Sequence, residues 1–232
     1  MAKKLTKAQV ARKLARFPVT DLAIAISRPP NRKEIFIRNY LTGSPTRSFA
    51  PLRSAAHAIY GVTLPLLSPE KETWDQIQAL IRAKAKPHDI KANIDAARLL
   101  RYLLTKRTFT AHAFPPGHQA INVGPGRVIP ITLNYYLVEG DTLIFQFLQA
   151  RADPVFDEHT ALCLMSLISR AYAFGDYATA EIELADLSAT HREGSREPRF
   201  RKARRDKLLS PKDLNAEIDA VYSIMKKVHD ES

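Results

Sequence analysis

The chain predicts an α+β protein: a mainly helical N-terminal half over residues 1–105, then a mostly antiparallel sheet packed with helices over residues 106–232. Three observations predict it. Up to Thr105 the apolar residues recur at three- and four-residue spacing; from Lys106 onward several runs alternate with a period of two; and two helical patterns return among and after those strands. A chain of 232 residues accommodates either two regions or one continuous domain.

The helices are justified first. Thr6 is placed to cap a helix whose apolar positions are Val10, Leu14 and Phe17, and Pro18 ends it. "DLAIAISRPP" is short, apolar and stopped by Pro29 and Pro30. "RKEIFIRNYL" fits either period, since Ile35 and Ile37 alternate while Leu41 suits both. "APLRSAAHAIYG" has Pro51 in its first turn and Gly61 just past its end. "SPEKETWDQIQALIRAKA" offers Ser68 as cap and Pro69 at the first helical position, with Trp74, Ile77 and Ile81 on one face. "PHDIKANIDAARLLRYLL" continues the period through Ile90, Ile94, Ala97 and Leu104.

The strand signals follow. "RTFTAHAF" sets Phe109, Ala111 and Ala113 against Thr108, Thr110 and His112. "RVIPITLNYYLV" and "DTLIFQFLQA" form a hairpin across Glu139 and Gly140. "DEHTALCLMSLISRAYA" reads as a helix at the centre of the core, and "ATAEIELADLSA" returns to a strand. The last helix opens on Ser210 and Pro211 and buries Leu214, Ile218, Val221 and Met225.

Composition narrows the function. With 45% apolar and 25% charged residues the chain is globular rather than disordered. One cysteine, Cys163, excludes an internal disulfide and zinc sites built on cysteine pairs, and its apolar neighbours predict an inert thiol. No run has the roughly 18 to 20 apolar residues of a membrane span, and the basic start lacks the apolar core of a secretory signal. A cytoplasmic protein without a membrane partner is expected.

The net charge of +11 is concentrated. Residues 1–16 carry six Lys or Arg and no acid; residues 191–207 carry eight against three acids, which together account for the whole excess. Such clustering suits a polyanion, because each neutralised phosphate releases counterions. The expected phosphate-binding set is Lys3, Lys4, Lys7, Arg12, Lys13 and Arg16 in the first helix, with Arg192, Arg196, Arg199, Arg201, Lys202, Arg204, Arg205 and Lys207 in an Arg-rich loop. Phe200 is placed to stack on a base. A helix-turn-helix reading of "KAQVARKLARFPVTDLAIAI", residues 7–26, has two features against it: Ala15 stands where the turn wants glycine, and "TDLAIAIS" is too apolar to read base edges.

Catalytic sets are sparse. Asp141, Glu181 and Glu183 are the candidate carboxylates for a Mg²⁺-dependent nuclease, since Glu181 and Glu183 share one face of a strand. The arrangement loosely resembles the core of PD-(D/E)XK nucleases over residues 127–190, but Glu181-Ile182-Glu183 lacks their lysine. The plainer reading makes it a solvent-facing acidic edge. Arg107 and His112 have the Arg-X4-His spacing of some helical ribonucleases, in a segment that reads as strand. His112 and His118 flank a proline-rich turn with no further ligands, and "NVGPGR" reads as a tight turn rather than a P-loop.

The sequence thus predicts a protein that binds DNA or RNA through phosphates, within a larger nucleic-acid-handling complex and without a catalytic set. No cofactor is expected, with Mg²⁺ required only under the nuclease alternative. The other alternative is a protein-interaction scaffold whose basic segments meet an acidic partner.

Overall fold

The computed structural model describes residues 5–43, 48–62, 72–114, 119–124, 127–151, 156–188 and 198–231. Helices come first: α1 (Lys7–Leu14), α2 (Val19–Ser27), α3 (Pro30–Thr42), α4 (Ala50–Tyr60), α5 (Trp74–Lys84) and α6 (Pro87–Leu104). Strands β1 (Thr110–Ala113), β2 (Gln119–Gly124), β3 (Arg127–Ile131), β4 (Tyr135–Glu139) and β5 (Thr142–Gln149) follow. Then come α7 (Glu158–Tyr172), β6 (Glu181–Asp186), β7 (Arg199–Ala203) and α8 (Pro211–Asp230). This is an α+β fold, as the sequence predicts.

Local chemistry sets most boundaries. Thr6 and Gln9 form a reciprocal capping box at the start of α1. Gly61 ends α4 in the left-handed conformation, φ 61°, and Ser210 caps α8 ahead of Pro211. The ambiguous "RKEIFIRNYL" is the helix α3: Ile37 and Leu41 are buried four residues apart while Ile35 is exposed. The fifth helix starts later than expected. Thr73, paired with Gln76, is its cap, whereas the expected cap, Ser68 with Pro69, lies outside the described residues.

The main sheet has the order β1-β4-β5-β6-β7, and β2 with β3 forms a separate two-stranded sheet. Pairing is antiparallel except between β5 and β6, which are parallel and joined through α7. The β4–β5 hairpin closes through Gly140, φ 58°, and Asp141, with Glu139 opposite Thr142. The expected single run "RVIPITLNYYLV" is divided into β3 and β4.

Helices cover both faces of the sheet, so it is buried on each side. On one face α1–α3, α7 and α8 enclose a core that includes Phe17, Leu22, Phe145, Leu164, Ile182 and Leu184. On the other, α4–α6 enclose Leu52, Ile81, Leu100, Leu137, Ile144 and Ala185. The helices before residue 105 therefore divide between the two faces. Helix α2, buried from Val19 to Ile26, belongs to the first core and presents no recognition surface. Among the described residues no helix is long and apolar enough to cross a membrane.

Candidate functional site

Strand β6 places Ile182 and Leu184 in the α7 core and turns Glu183 and Ala185 toward α4–α6. The acidic edge expected to face solvent is instead an interior position: Glu183 is 0% exposed. A carboxylate removed from water requires a charged partner and hydrogen bonds. Arg107 Nη1 donates to Glu183 Oε1 at 2.7 Å. Gln146, the register partner of Glu183 on β5, donates to the same oxygen. Gln146 Oε1 in turn accepts from the Tyr60 hydroxyl and, at 3.4 Å, from that of Tyr135.

The network reaches the surface through Glu139. Arg107 Nε donates to Glu139 Oε1 at 2.7 Å, and Lys202 Nζ donates to Glu139 Oε2 at 2.7 Å. Lys202 Nζ also stands 3.8 Å from Glu183 Oε2. The Arg107 guanidinium covers the Phe200 ring at 5.0 Å. Burial pulls the Glu139 carboxyl upward, but its bonds to Lys202 and Arg107 hold it below the usual value. For Arg107 burial favours loss of the proton, and the bonds to Glu183 and Glu139 outweigh it, so the guanidinium is held more firmly charged. Burial is the largest cause that lifts the phenols of Tyr60 and Tyr135, which stay neutral donors.

These groups hold one another through Glu183 Oε1 and Glu139, while Glu183 Oε2 is buried without a hydrogen bond. The cleft beside Tyr135 and Gln146, lined also by Arg53, Ala56 and Leu133, has a volume of about 20 Å³, room for a water molecule. The candidate carboxylates are not gathered into a ligand set. Asp141 sits exposed in the hairpin turn, Glu181 is half-buried opposite Ile144, and Glu183 is engaged by Arg107. Among the described residues no three His, Cys, Asp or Glu side chains are placed to hold a metal ion. Burial pushes the Cys163 thiol up to about 12, as befits an inert core residue.

The basic residues divide into three groups. Lys3, Lys4, Arg192 and Arg196 lie outside the described residues. Lys7 and Arg12 on α1 and Arg16 just past its end are exposed, while the Lys13 ammonium caps the end of α3 by donating to the Leu41 carbonyl. The third group corrects the expected Arg-rich loop, because residues 199–203 are strand β7, paired antiparallel with β6. Arg201 donates to the Phe156 carbonyl at 2.7 Å and lies 3.9 Å from buried Asp186. Lys202 serves Glu139, and Phe200 packs into the α4–α6 core rather than waiting for a base. Arg199, opposite Asp186, is exposed. Beyond the strand, Arg204 pairs with Asp206 at 3.6 Å, Arg205 donates to the Ala178 carbonyl at 3.0 Å, and Lys207 is exposed.

Sequence reasoning noted Arg107 only for its spacing from His112 and Glu139 only as part of a hairpin, and missed Gln146, because their partners are distant in the chain. The available signal was polar residues inside otherwise apolar strand patterns: Gln146 within "LIFQFL" and Glu183 within "EIELA". It also missed the buried pair of Asp21 and Arg151, 2.7 Å apart, where burial raises the Asp21 carboxyl despite the arginine.

Comparison with known proteins corrects the expected partner. The family model "Sliding clamp-binding bacterial toxin SocB" matches residues 20–232. No curated protein is similar enough to count as a match. A solved crystal structure, of SSO0001, is similar over 98% of this chain and 88% of that one, at 13% identity and a TM-score of 0.39, too slight a likeness to support an argument. The family description names a protein, the clamp, as the partner and gives no support to DNA or RNA binding. The phosphate-gripping reading is therefore withdrawn, together with the DNA- and RNA-binding description. The physical reason is visible in β7, whose Arg201 and Lys202 serve acids of the chain itself.

Proposed function

We infer what this chain does from one premise: it belongs to the SocB family of sliding clamp-binding bacterial toxins. The reading is a protein-binding toxin that occupies a sliding clamp, not a nucleic-acid-gripping subunit. The observation that carries it is the extent of the match, which begins in α2 and runs through both cores to the end of α8. Two structural points support it. The tyrosine, glutamine and carboxylate groups at the centre of the sheet are tied to one another, leaving no open reaction site among them. The exposed cations at the N-terminus, Lys7 and Arg12 on α1 and Arg16 just beyond it, suit an acidic protein surface. A toxin of this kind acts in the cytoplasm, where a clamp encircles DNA.

The test mixes the purified chain with a purified bacterial sliding clamp and follows the complex by size-exclusion chromatography and calorimetry. Saturable binding is expected, as is growth arrest on induction of the chain that extra clamp relieves. Absence of binding at low salt, or arrest that extra clamp leaves unchanged, overturns the reading.

A further inference from the structure

The outer face of α6 differs from the other basic surfaces of the chain. His88, Lys91, Asp95, Arg98 and Tyr102 recur there at helical spacing and are all exposed. Arg98 and Arg101 place their guanidinium carbons 5.7 and 5.9 Å from the Trp74 ring of α5. The Lys106 ammonium stands 4.4 Å from the Tyr102 ring, and Tyr102 is 57% exposed. Among the described residues none of Arg98, Arg101 and Lys106 forms an ion pair, although exposed Asp95 lies one turn before Arg98. Three cations thus rest on aromatic rings rather than on carboxylates.

We propose that this face, formed by Trp74, Arg98, Arg101, Tyr102 and Lys106, is the docking surface for an acidic protein segment, its carboxylates meeting the two arginines around an apolar side chain seated against the rings. An arginine held beside an aromatic ring has less freedom left to lose when a carboxylate binds its planar N–H fork in bidentate fashion. Tryptophan, tyrosine and arginine are also the side chains that dominate interface energetics. Charge complementarity selects the occupant: Arg82, Lys84 and Lys91 on the same two helices and Lys86 between them are exposed, and among the described residues the aromatic-bound cations form no ion pair. That the segment belongs to the sliding clamp rests on the proposed function; its acidic chemistry does not.

Trp74 is the sole tryptophan of the chain, which gives the surface its own reporter. With 5-fluorotryptophan incorporated, the full-length chain gives one ¹⁹F resonance. It is titrated with purified clamp and, separately, with a synthetic dodecapeptide of Asp and Glu around a central Phe. The same titrations are run on Arg98→Glu/Arg101→Glu, or on Arg98→Gln/Arg101→Gln should the reversal fail to fold. The resonance is expected to move with both ligands, and the double variant to lose roughly tenfold or more in affinity for each. If the clamp binds while the resonance stays still and the variant binds equally well, the docking surface is overturned and the clamp reading stands. If the peptide moves the resonance but the clamp does not bind, the surface stands and the clamp reading falls. A chain that binds neither overturns both.

Discussion

Strand β7 and the outer face of α6 both set arginine and lysine beside aromatic rings, and they use them in opposite ways. On β7, Arg201 reaches toward buried Asp186 and Lys202 serves Glu139, while Phe200 is covered by Arg107. On α6 and just past its end, Arg98, Arg101 and Lys106 lie by Trp74 and Tyr102, and among the described residues none of the three forms an ion pair. A count of charges along the chain favours residues 191–207 and passes over 98–106. What separates the two is the location of the acids, and that is fixed by strand pairing, not by sequence neighbours. A cation matched inside the fold stabilises the fold, whereas one left over a ring is available to a partner.

Substitutions that break this contrast differ widely in size. The largest effect is expected at Arg107, whose loss leaves Glu183 buried without its main counter-charge. Arg107→Met should cost about 3–5 kcal/mol in urea unfolding, and adding Glu183→Leu should recover most of it, since a buried pair replaced by apolar groups is often neutral. A loss that persists in the double variant would falsify the assignment of that energy to the ion pair. Next is Arg201→Ala, which strands a buried carbonyl and weakens the hold on Asp186, for about 1–3 kcal/mol by the same assay.

The Glu139 linkage is read by pH. Its carboxyl is held below the ordinary value, so its contribution is present above pH 4.5 and is lost as the pH falls through the depressed folded-state value. The unfolding midpoint of Glu139→Gln should therefore decline less steeply below pH 4.5 than that of the unaltered chain. The smallest stability change belongs to Arg98→Gln with Arg101→Gln, about 1 kcal/mol, because a cation beside the half-buried Trp74 ring at the rim of the fold is worth little. A thermal midpoint that falls as far as that of Arg107→Met would show that α6 uses its arginines as β7 does.

Much of the fold was legible locally. Thr6, Gly61, Ser210 and Pro211 mark helix ends through bonds and backbone angles confined to a few residues, and Gly140 closes a hairpin the same way. The helix α3 was ambiguous because Ile35 and Ile37 mimic a strand, and only packing shows that Ile37 is core while Ile35 is exposed. The parallel pairing of β5 with β6 follows from the α7 crossover, which no short window contains. The site was less legible still. "RFRKA" has no apolar face because its partners are carboxylates of other elements, so it passed for a loop. Glu183 passed for a surface acid because the helices that bury it, α4–α6, come more than 70 residues earlier in the chain.

One consequence of β7 concerns the behaviour of many copies together. It is the last strand of the five-stranded sheet, and an outermost strand is where a second molecule can extend a sheet edge to edge. The opposite border, β1, has only four residues. On β7, positions 199, 201 and 202 are Arg, Arg and Lys. Two copies brought edge to edge would bring these basic positions close together, which disfavours self-association. The residues that balance charge inside each molecule thereby also guard its sheet edge against a neighbouring copy.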